Sequence, residues 1–411
     1  MTQNVLQNVQ TWQKSMLAAQ ANFGPWISWA NTKFKDFQNF EGQLGATVRY
    51  QTPPRTVADE GLDVNWQPLI QPERALTVDE AYNVPLQFTA EQLVFNNIDD
   101  YMNTQGRALV EALGTRLEQS VARRAITNPY RFFNFSQTSL SSTLQLAKMI
   151  ETFKNMGYAN QRDIKVILDH TDIPEIINSQ QNQFTLDRNN ENAQSWELMS
   201  WRGVKFGTTN ILEEHLAGSV GNNDDTLTVV STDDPSGNYI TRITFSGASA
   251  VSDPDAIKKH DSLYFLGDVV NFTSFYGGIR SRNTLQVRVL EDEGSTAGGE
   301  VTVEVYPPLV ATAGSAQRNI TTNIVAGMTA KVLPNHRAGL LWGNDAMFCA
   351  MPKLPEKSPF YTGRSVDPDK GISTRFSYGA VFDKNQYGYI YDAIIGSDIN
   401  PDDCMKIVFP Y

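Results

Sequence analysis

A long helical stretch constrains the fold of this chain more than any other feature. It runs from Phe88 to Ile126, and one face carries apolar residues at spacings of four or seven positions: Ile98, Met102, Leu109, Leu113, Leu117 and Val121. That spacing predicts a single amphipathic helix, packed through Leu109, Leu113, Leu117 and Val121. Thr89 with Gln92 three residues later predicts its N-terminal cap. At about 1.5 Å per residue, the helix would be roughly 55 Å long.

Two glycines inside this stretch leave an alternative open. Gly106 and Gly114 each destabilise a helix interior by about 1 kcal/mol relative to alanine. A break near Gly106 would divide the stretch into two helices of ordinary length. The sequence alone does not decide between one long helix and two shorter ones.

The segment before residue 45 predicts a helical arm. Its first part carries apolar residues on one helical face at Val5, Val9, Trp12 and Met16, and Gly24-Pro25 ends that pattern. Large aromatic side chains are unfavourable in water, so we expect the arm to dock on a neighbouring surface. A frayed tail is the alternative.

Residues 45–87 predict a long hairpin or extended loop. Short alternating runs lie between Pro53-Pro54, Gly61, Pro68 and Pro72. A connection of this length in a compact protein is usually functional or disordered. Its charged residues are the candidates for contacts to other molecules: Arg49, Arg55, Asp59, Glu60, Asp63 and Arg74.

The remaining chain predicts a mixed domain that is interrupted by a β-rich module. A helix is expected near 142–156 and a buried strand near 163–168. Between 222 and 312 short strands alternate with turn residues, and Val301, Val303 and Val305 recur with a period of two. This pattern predicts a small antiparallel barrel or sandwich. Mixed strand patterns follow, and the chain closes with a strand at "MKIVFP".

The composition and motifs point away from the common enzyme and nucleic-acid-binding classes. The chain has 45 acidic and 34 basic residues, a net charge of −11, which is the wrong sign for a surface that grips nucleic acid throughout. Phosphate-loop, dinucleotide-binding, zinc-protease and nucleophile-elbow motifs do not occur. The four histidines and two cysteines are scattered, and two acidic turns lack the complete calcium-loop spacing. We therefore expect no catalytic residue, cofactor or metal.

The sequence also bears on where the protein is made. The N-terminus lacks a basic region followed by an apolar core, so we expect no secretory signal. No window approaches about 18 continuous apolar residues, so we expect no membrane span. These features predict a protein that is made and used in a cytoplasm.

Three segments carry a resemblance to a known family. They are "LQFTAEQLVFNNIDDYMNTQGRALVEALGTRLEQSVARRAI", "AIKKHDSLYFLGD" at 256–268 and "RAGLLWGNDAMFCAMPKLP" at 337–355. In this order, with the predicted arm, loop and barrel, they resemble the major capsid protein of tailed bacteriophages. The fold is shared with herpesvirus shells and bacterial encapsulins. The chain is most similar to the podovirus coat branch, which carries an inserted β-barrel domain.

The resemblance implies an α+β fold with an N-terminal arm, an extended loop, a long spine helix, a mixed axial domain and an inserted small antiparallel barrel. It divides the chain into these segments: 1–44 helical arm, 45–87 extended loop, 88–140 peripheral domain with the spine helix, 141–221 axial domain, 222–312 inserted barrel, 313–395 axial domain again, and 396–411 a strand returning to the peripheral domain.

The resemblance also implies a function. Pentamers and hexamers of the chain would build an icosahedral head, first a procapsid and then a mature capsid. This head would enclose double-stranded DNA without sequence-specific binding. Scaffolding, portal and decoration proteins would be partners, and assembly in the host cytoplasm would precede a final location in the virion.

The extended loop would reach over an adjacent subunit through the six charged residues named above. Some relatives weld subunits through a lysine on this loop. Residues 45–87 contain no lysine, so we expect no such crosslink. The alternatives are an encapsulin-like shell protein and a β-rich hydrolase or carbohydrate-binding protein.

Overall fold

The structure is a computed structural model. It consists of many strands, one long helix and several short helices. It describes residues 24–32, 44–55, 66, 72–89, 98–135, 143–155, 163–172, 200–201, 203–274, 278–343, 346–355, 361–367, 372–381 and 386–410. The helices are α1 (Pro25–Ser28), α2 (Ile98–Thr127), α3 (Thr143–Lys154) and α4 (Ser219–Asn222). The strands of the first half are β1 (Thr47–Gln51), β2 (Glu73–Thr77), β3 (Glu80–Thr89), β4 (Phe132–Asn134), β5 (Ile164–Asp169), β6 (Ser200–Trp201), β7 (Val204–Thr209) and β8 (Glu213–His215).

The later strands follow at short intervals. They are β9 (Thr226–Thr232), β10 (Ile240–Ser246), β11 (Ser262–Phe265), β12 (Asn271–Thr273), β13 (Arg280–Thr284), β14 (Gln286–Val289), β15 (Glu300–Leu309), β16 (Thr329–Val332), β17 (His336–Trp342), β18 (Met347–Ala350), β19 (Tyr361–Asp367), β20 (Ile372–Val381), β21 (Gln386–Ile399) and β22 (Cys404–Pro410). Before β22 the chain makes one 3₁₀ turn, Pro401–Asp403.

The chain forms two compact units, and each is assembled from separate parts of the sequence. The first unit comprises residues 1–50, 74–124 and 347–398. The second comprises residues 51–73, 125–346 and 399–411. Residues 347–395, predicted to continue the axial domain, therefore share a unit with most of the long helix.

An antiparallel sheet organises the first unit. Its strands follow the order β18-β21-β20-β19, and β3 pairs with β21 along its whole length, from Glu80 opposite Ile395 to Thr89 opposite Gln386. β1 and β2 form a separate two-stranded sheet within the predicted extended loop, whose last residues, 80–87, belong instead to β3. Leu76 on β2 and Val78 just after it pack with Ala350 and Ile394 in one apolar cluster.

The long helix α2 runs without a break through both of its glycines. It begins at Ile98 and has 30 residues, so one helix rather than two occupies this region. The predicted start is wrong, because Phe88 and Thr89 are the last residues of β3. Pairing with β21 extends the backbone there and overrides the local capping pattern, while residues 90–97 lie outside the described part. Three of the predicted packing residues are fully buried: Leu113, Leu117 and Val121. The fourth, Leu109, is half-buried.

A mixed sheet forms one part of the second unit. Its strands follow the order β4-β22-β17-β5-β7-β6, with β8 pairing on β17. The pairs β22-β4 and β5-β7 are parallel, and the pair β17-β22 is antiparallel. Helix α3 covers this sheet with the residues that the helical spacing predicted: Leu146, Met149, Ile150 and Phe153.

The other part of the second unit is a closed barrel of six antiparallel strands, as predicted. Its order is β10-β15-β14-β11-β16-β9. On β15, Val301, Val303 and Val305 point into the core while Thr302 and Glu304 face outward, which is the period of two seen in the sequence. The barrel extends beyond the predicted end at 312, because β16 at Thr329–Val332 pairs with both β11 and β9 and closes it.

Candidate functional site

The six charged residues of the extended loop are the predicted contact residues, and the structure places three of them. Arg49 lies on β1 with its side chain exposed. Arg55 and Arg74 are partly buried. The other three lie outside the described residues: Asp59, Glu60 and Asp63.

Arg74 is held at the base of the loop by a buried carboxylate of the first unit. Its Nε and Nη2 lie 3.1 Å from Oδ2 and 3.1 Å from Oδ1 of Asp398. The Tyr50 hydroxyl donates to the same Oδ2 at 2.6 Å and accepts from Arg74 Nε at 3.2 Å. These three side chains join β1, β2 and β21, and we call them the loop-root cluster.

The chemistry of the loop-root cluster explains its geometry. A planar guanidinium matches the two oxygens of a carboxylate, so two parallel hydrogen bonds fix both position and angle. Burial, together with the charge of Asp398, raises the pKa of the Tyr50 hydroxyl, which therefore stays a donor. Arg74 thus anchors the loop within its own chain, and a contact from Arg74 to another subunit stays a prediction.

Arg55 lies at a second anchor, in the second unit. Its Nη2 is 3.8 Å from Oδ1 of Asp402, which also accepts a hydrogen bond of 2.8 Å from the Tyr130 hydroxyl. Thr52 donates to the carbonyl of Pro72 through its N–H at 3.0 Å and its hydroxyl at 3.1 Å. The two sides of the loop are therefore joined here as well.

A cavity of about 210 Å³ adjoins this second anchor. Arg55 and Asp402 form its charged end, and apolar and aromatic side chains of the barrel form much of the rest, including Tyr239 next to β10 and Tyr306 and Pro307 on β15. It is the site where the loop residues and the barrel residues meet.

The described part of the N-terminal arm is fixed to α2 by a carboxylate that the sequence analysis did not single out. Glu118 accepts hydrogen bonds from the backbone N–H groups of Trp26 at 3.0 Å and Ile27 at 2.9 Å. Both of these side chains are buried, at 0% and 1% exposure. Asn31 then makes a bridge to Phe348, so the segment lies against the first unit rather than in solvent.

Burial raises the pKa of the Glu118 carboxyl to about 7, although the two backbone donors act in the opposite direction. The signal in the sequence was weak. Glu118 directly follows Leu117 of the apolar stripe, and Ala122 and Ala125 show that more than one side of α2 is buried. A carboxylate beside an apolar stripe in an alanine-rich turn is the only hint of a buried acid.

The described residues contain no group of three or more histidine, cysteine, aspartate or glutamate side chains arranged to hold a metal ion. Within the same residues, no helix combines the length and apolar character needed to cross a membrane.

Comparisons with known proteins gave matches to solved structures only. No protein-family model and no curated protein matches the chain. The capsid structure of the cyanophage P-SCSP1u matches with 12% identity and a TM-score of 0.41, over 92% of this chain and 88% of the other. The acidic stable capsid structure of the Helicobacter pylori bacteriophage KHP30 matches with 11% identity and a TM-score of 0.42, over 93% and 92%. The virus-like particle from Pyrococcus furiosus matches with 7% identity and a TM-score of 0.36, over 96% and 98%.

Proposed function

We propose that this chain is the major capsid protein of a tailed bacteriophage, which assembles with copies of itself into the icosahedral head around double-stranded DNA. One observation carries the proposal: the succession of elements along the chain. A docked arm segment, a rooted two-stranded loop, a helix of 30 residues, a mixed sheet and an inserted closed barrel follow in the order that the resemblance implies.

The anchoring of the extended loop supports this function. Its two sides are fixed by the loop-root cluster and by the two hydrogen bonds from Thr52, through its N–H and its hydroxyl, to the Pro72 carbonyl. A loop with a fixed base can present its outer residues to a neighbour at a lower entropic cost than a free segment. Each exposed ion pair between subunits would contribute only about 0–1 kcal/mol, but a shell repeats the contact many times.

The charge of the chain fits the inner wall of such a shell. With a net charge of −11, the subunit would repel packed DNA on average rather than adhere to it. In this role the chain supplies shape and contacts rather than catalysis. Scaffolding, portal and decoration proteins are its proposed partners, assembly in the host cytoplasm its proposed route, and the virion its final place.

Electron microscopy of the purified chain tests the proposal. The chain is expressed alone and together with a candidate scaffolding protein, and both samples are imaged by negative stain. We expect closed shells, sheets or tubes tens of nanometres across in at least one sample. A monodisperse monomer in both samples would overturn the proposed function.

A deletion tests the part assigned to the loop. Removing residues 56–66 leaves Arg55, Pro72 and the loop-root cluster in place, so the subunit should fold and yet fail to form stable shells. Arg242→Ala on the barrel surface is the matched control and should assemble normally. Normal shells from the deletion variant would exclude the loop as a subunit contact.

A further inference from the structure

Three of the four histidines, distant in sequence, come together in the second unit. His215 on β8 pairs in register with His336 on β17, and their ring centroids are 5.2 Å apart. Nε2 of His215 lies 2.7 Å from Oδ1 of Asp261, which is fully buried just before barrel strand β11. His260 directly precedes Asp261, and burial, together with the charges of Arg288 and Lys259, lowers the pKa of its imidazole.

Lys406 on β22 completes what we call the junction cluster: His215, His260, Asp261, His336 and Lys406. The Lys406 side chain is 0% exposed, and its Nζ has no hydrogen-bond partner within the described residues. The same holds for Nε2 of His336 and Nδ1 of His260. Buried nitrogens without partners are unfavourable, so the cluster is a weak point of an otherwise apolar core.

The junction cluster lies where the barrel meets the mixed sheet. Two of its members precede barrel strand β11, and three lie on the sheet strands β8, β17 and β22. Next to it, the Gln286 side chain of β14 makes two hydrogen bonds with the backbone of Phe132 on β4, at 2.9 and 3.0 Å. The Phe132 ring also packs edge-on against Tyr264 of β11. The cluster therefore belongs to a continuous contact between two parts of one unit.

Charged groups reach the cluster from the barrel as well as from the sheet. Burial lowers the pKa of both Lys406 and His260, and the positive charge of Arg288 on β14 lowers both further. Lys259 also lowers the pKa of His260. Among the described groups, Asp261 is the one carboxylate whose charge favours the protonated form of Lys406. Asp261 is already engaged, because it accepts from the backbone N–H groups of Gly218 at 3.2 Å and Lys258 at 2.8 Å. Positive charge added here would meet little compensation.

We propose that the junction cluster is a pH-sensitive switch between the barrel and the mixed sheet. With His260 and His336 neutral the contact is closed. When these two imidazoles take up protons, the added positive charge is repelled by the neighbouring cations and the contact opens, while the barrel itself stays closed by its own strand pairing and apolar core.

The direction of the switch follows from proton linkage. Burial, with the nearby cations, lowers the pKa of His336 to about 2 and that of His260 to about 3. In the opened contact both groups would return toward their ordinary value near 6.5. Opening therefore takes up protons below that pH, and each proton shifts the equilibrium toward the open form about tenfold per pH unit.

Hydrogen exchange of the full chain at pH 7.5, 6.0 and 5.0 tests the proposal, with exchange in the unfolded chain correcting for the intrinsic effect of pH. Peptides of β8, β17 and β22 report the junction, and peptides of β9, β10 and β15 report the barrel wall. We expect junction protection to fall by more than about tenfold per pH unit below 6.5, and barrel protection to fall much less. Equal losses in both sets would overturn the proposal.

Matched variants test whether the histidines are responsible. His336→Phe puts a somewhat larger uncharged ring in place of the imidazole and removes one titrating group, so the junction should take up one proton fewer when it opens and its pH slope should fall accordingly. His260→Gln, at a half-buried position, serves the same purpose if His336→Phe does not fold. His170→Gln removes the exposed fourth histidine and should leave the slope unchanged. An unaltered slope in whichever junction variant folds would show that the cluster is purely structural.

Discussion

The barrel and the loop-root cluster are stabilised in opposite ways. The barrel closes on itself and buries a large apolar cluster, whose side chains, such as Phe245, are held by packing rather than by charge. The loop root depends on one guanidinium, one carboxylate and one hydroxyl. The barrel should therefore tolerate changes of charge, whereas the loss of a single charge at the loop root should release the loop.

The largest effect should come from the barrel core. Phe245 is 0% exposed and packs near Phe265, with ring centroids 6.4 Å apart. Phe245→Ala removes a buried ring and leaves a cavity, which should destabilise the unit by about 3–5 kcal/mol in denaturant unfolding. Val230→Ala, at a position 41% exposed on β9, is the control and should change stability by less than about 0.5 kcal/mol.

A smaller and more local effect should follow from breaking the loop-root cluster. Asp398→Asn removes the charge that Arg74 and Tyr50 share, and we expect a loss of about 2–3 kcal/mol in the first unit, because hydrogen bonds to a charged group are replaced by weaker ones. Limited proteolysis between β1 and β2 should accelerate. The matched control is Asp79→Asn, whose pair with Arg124 is more exposed. If both variants are cleaved at the rate of the unaltered chain, the loop root is not held by charge.

The arm segment offers a test through pH. The pKa of Glu118 is about 7 in the folded chain and near 4.5 when exposed, so the folded state binds this proton more tightly. Stability should therefore be highest below pH 4.5 on this account and fall by about 1–3 kcal/mol as the pH rises through 7. Glu118→Gln should abolish this slope, although it leaves one backbone N–H of Trp26 or Ile27 less well bonded.

Thermal unfolding from pH 5 to pH 8 measures this slope, and Glu111→Gln at an exposed position of the same helix is the control. A slope that persists in Glu118→Gln would assign the pH dependence to another group.

The smallest effect should come from a charge pair on the barrel wall. Arg242 Nη2 lies 3.2 Å from Glu304 Oε2, and the Arg242 side chain is 61% exposed. Arg242→Ala should change the free energy of unfolding by less than about 1 kcal/mol, because water and salt screen exposed pairs. A loss comparable to that of Asp398→Asn would remove the contrast between the two regions.

The sequence was informative where burial alternates locally. The period of two at Val301, Val303 and Val305 identified a barrel strand, and the helical spacing identified the buried side of α3. It failed at β16, because a run of four residues separated from β15 by a long loop has too little periodicity to be recognised. It also failed at Phe88 and Thr89, where pairing with β21 outweighs the local pattern.

The site was less predictable than the fold. Arg74 could be named as a charged loop residue, but its partner Asp398 lies far along the sequence and only the folded sheet brings them together. The same applies to Glu118 and to the junction cluster, whose members are contributed by separate strands and turns. Tertiary geometry, which no local pattern encodes, determines which charges become buried.

The position of β22 has a consequence for how the protein is made. All six barrel strands lie in one continuous stretch, so the barrel can close while later residues are still being synthesised. β4 and β17 are made earlier than β22, yet they flank it in the finished sheet and pair with it on both sides. Until β22 emerges from the ribosome, both edges are open to pairing with other chains. Synthesis that pauses late in the chain should therefore cause aggregation through the mixed sheet and not through the barrel.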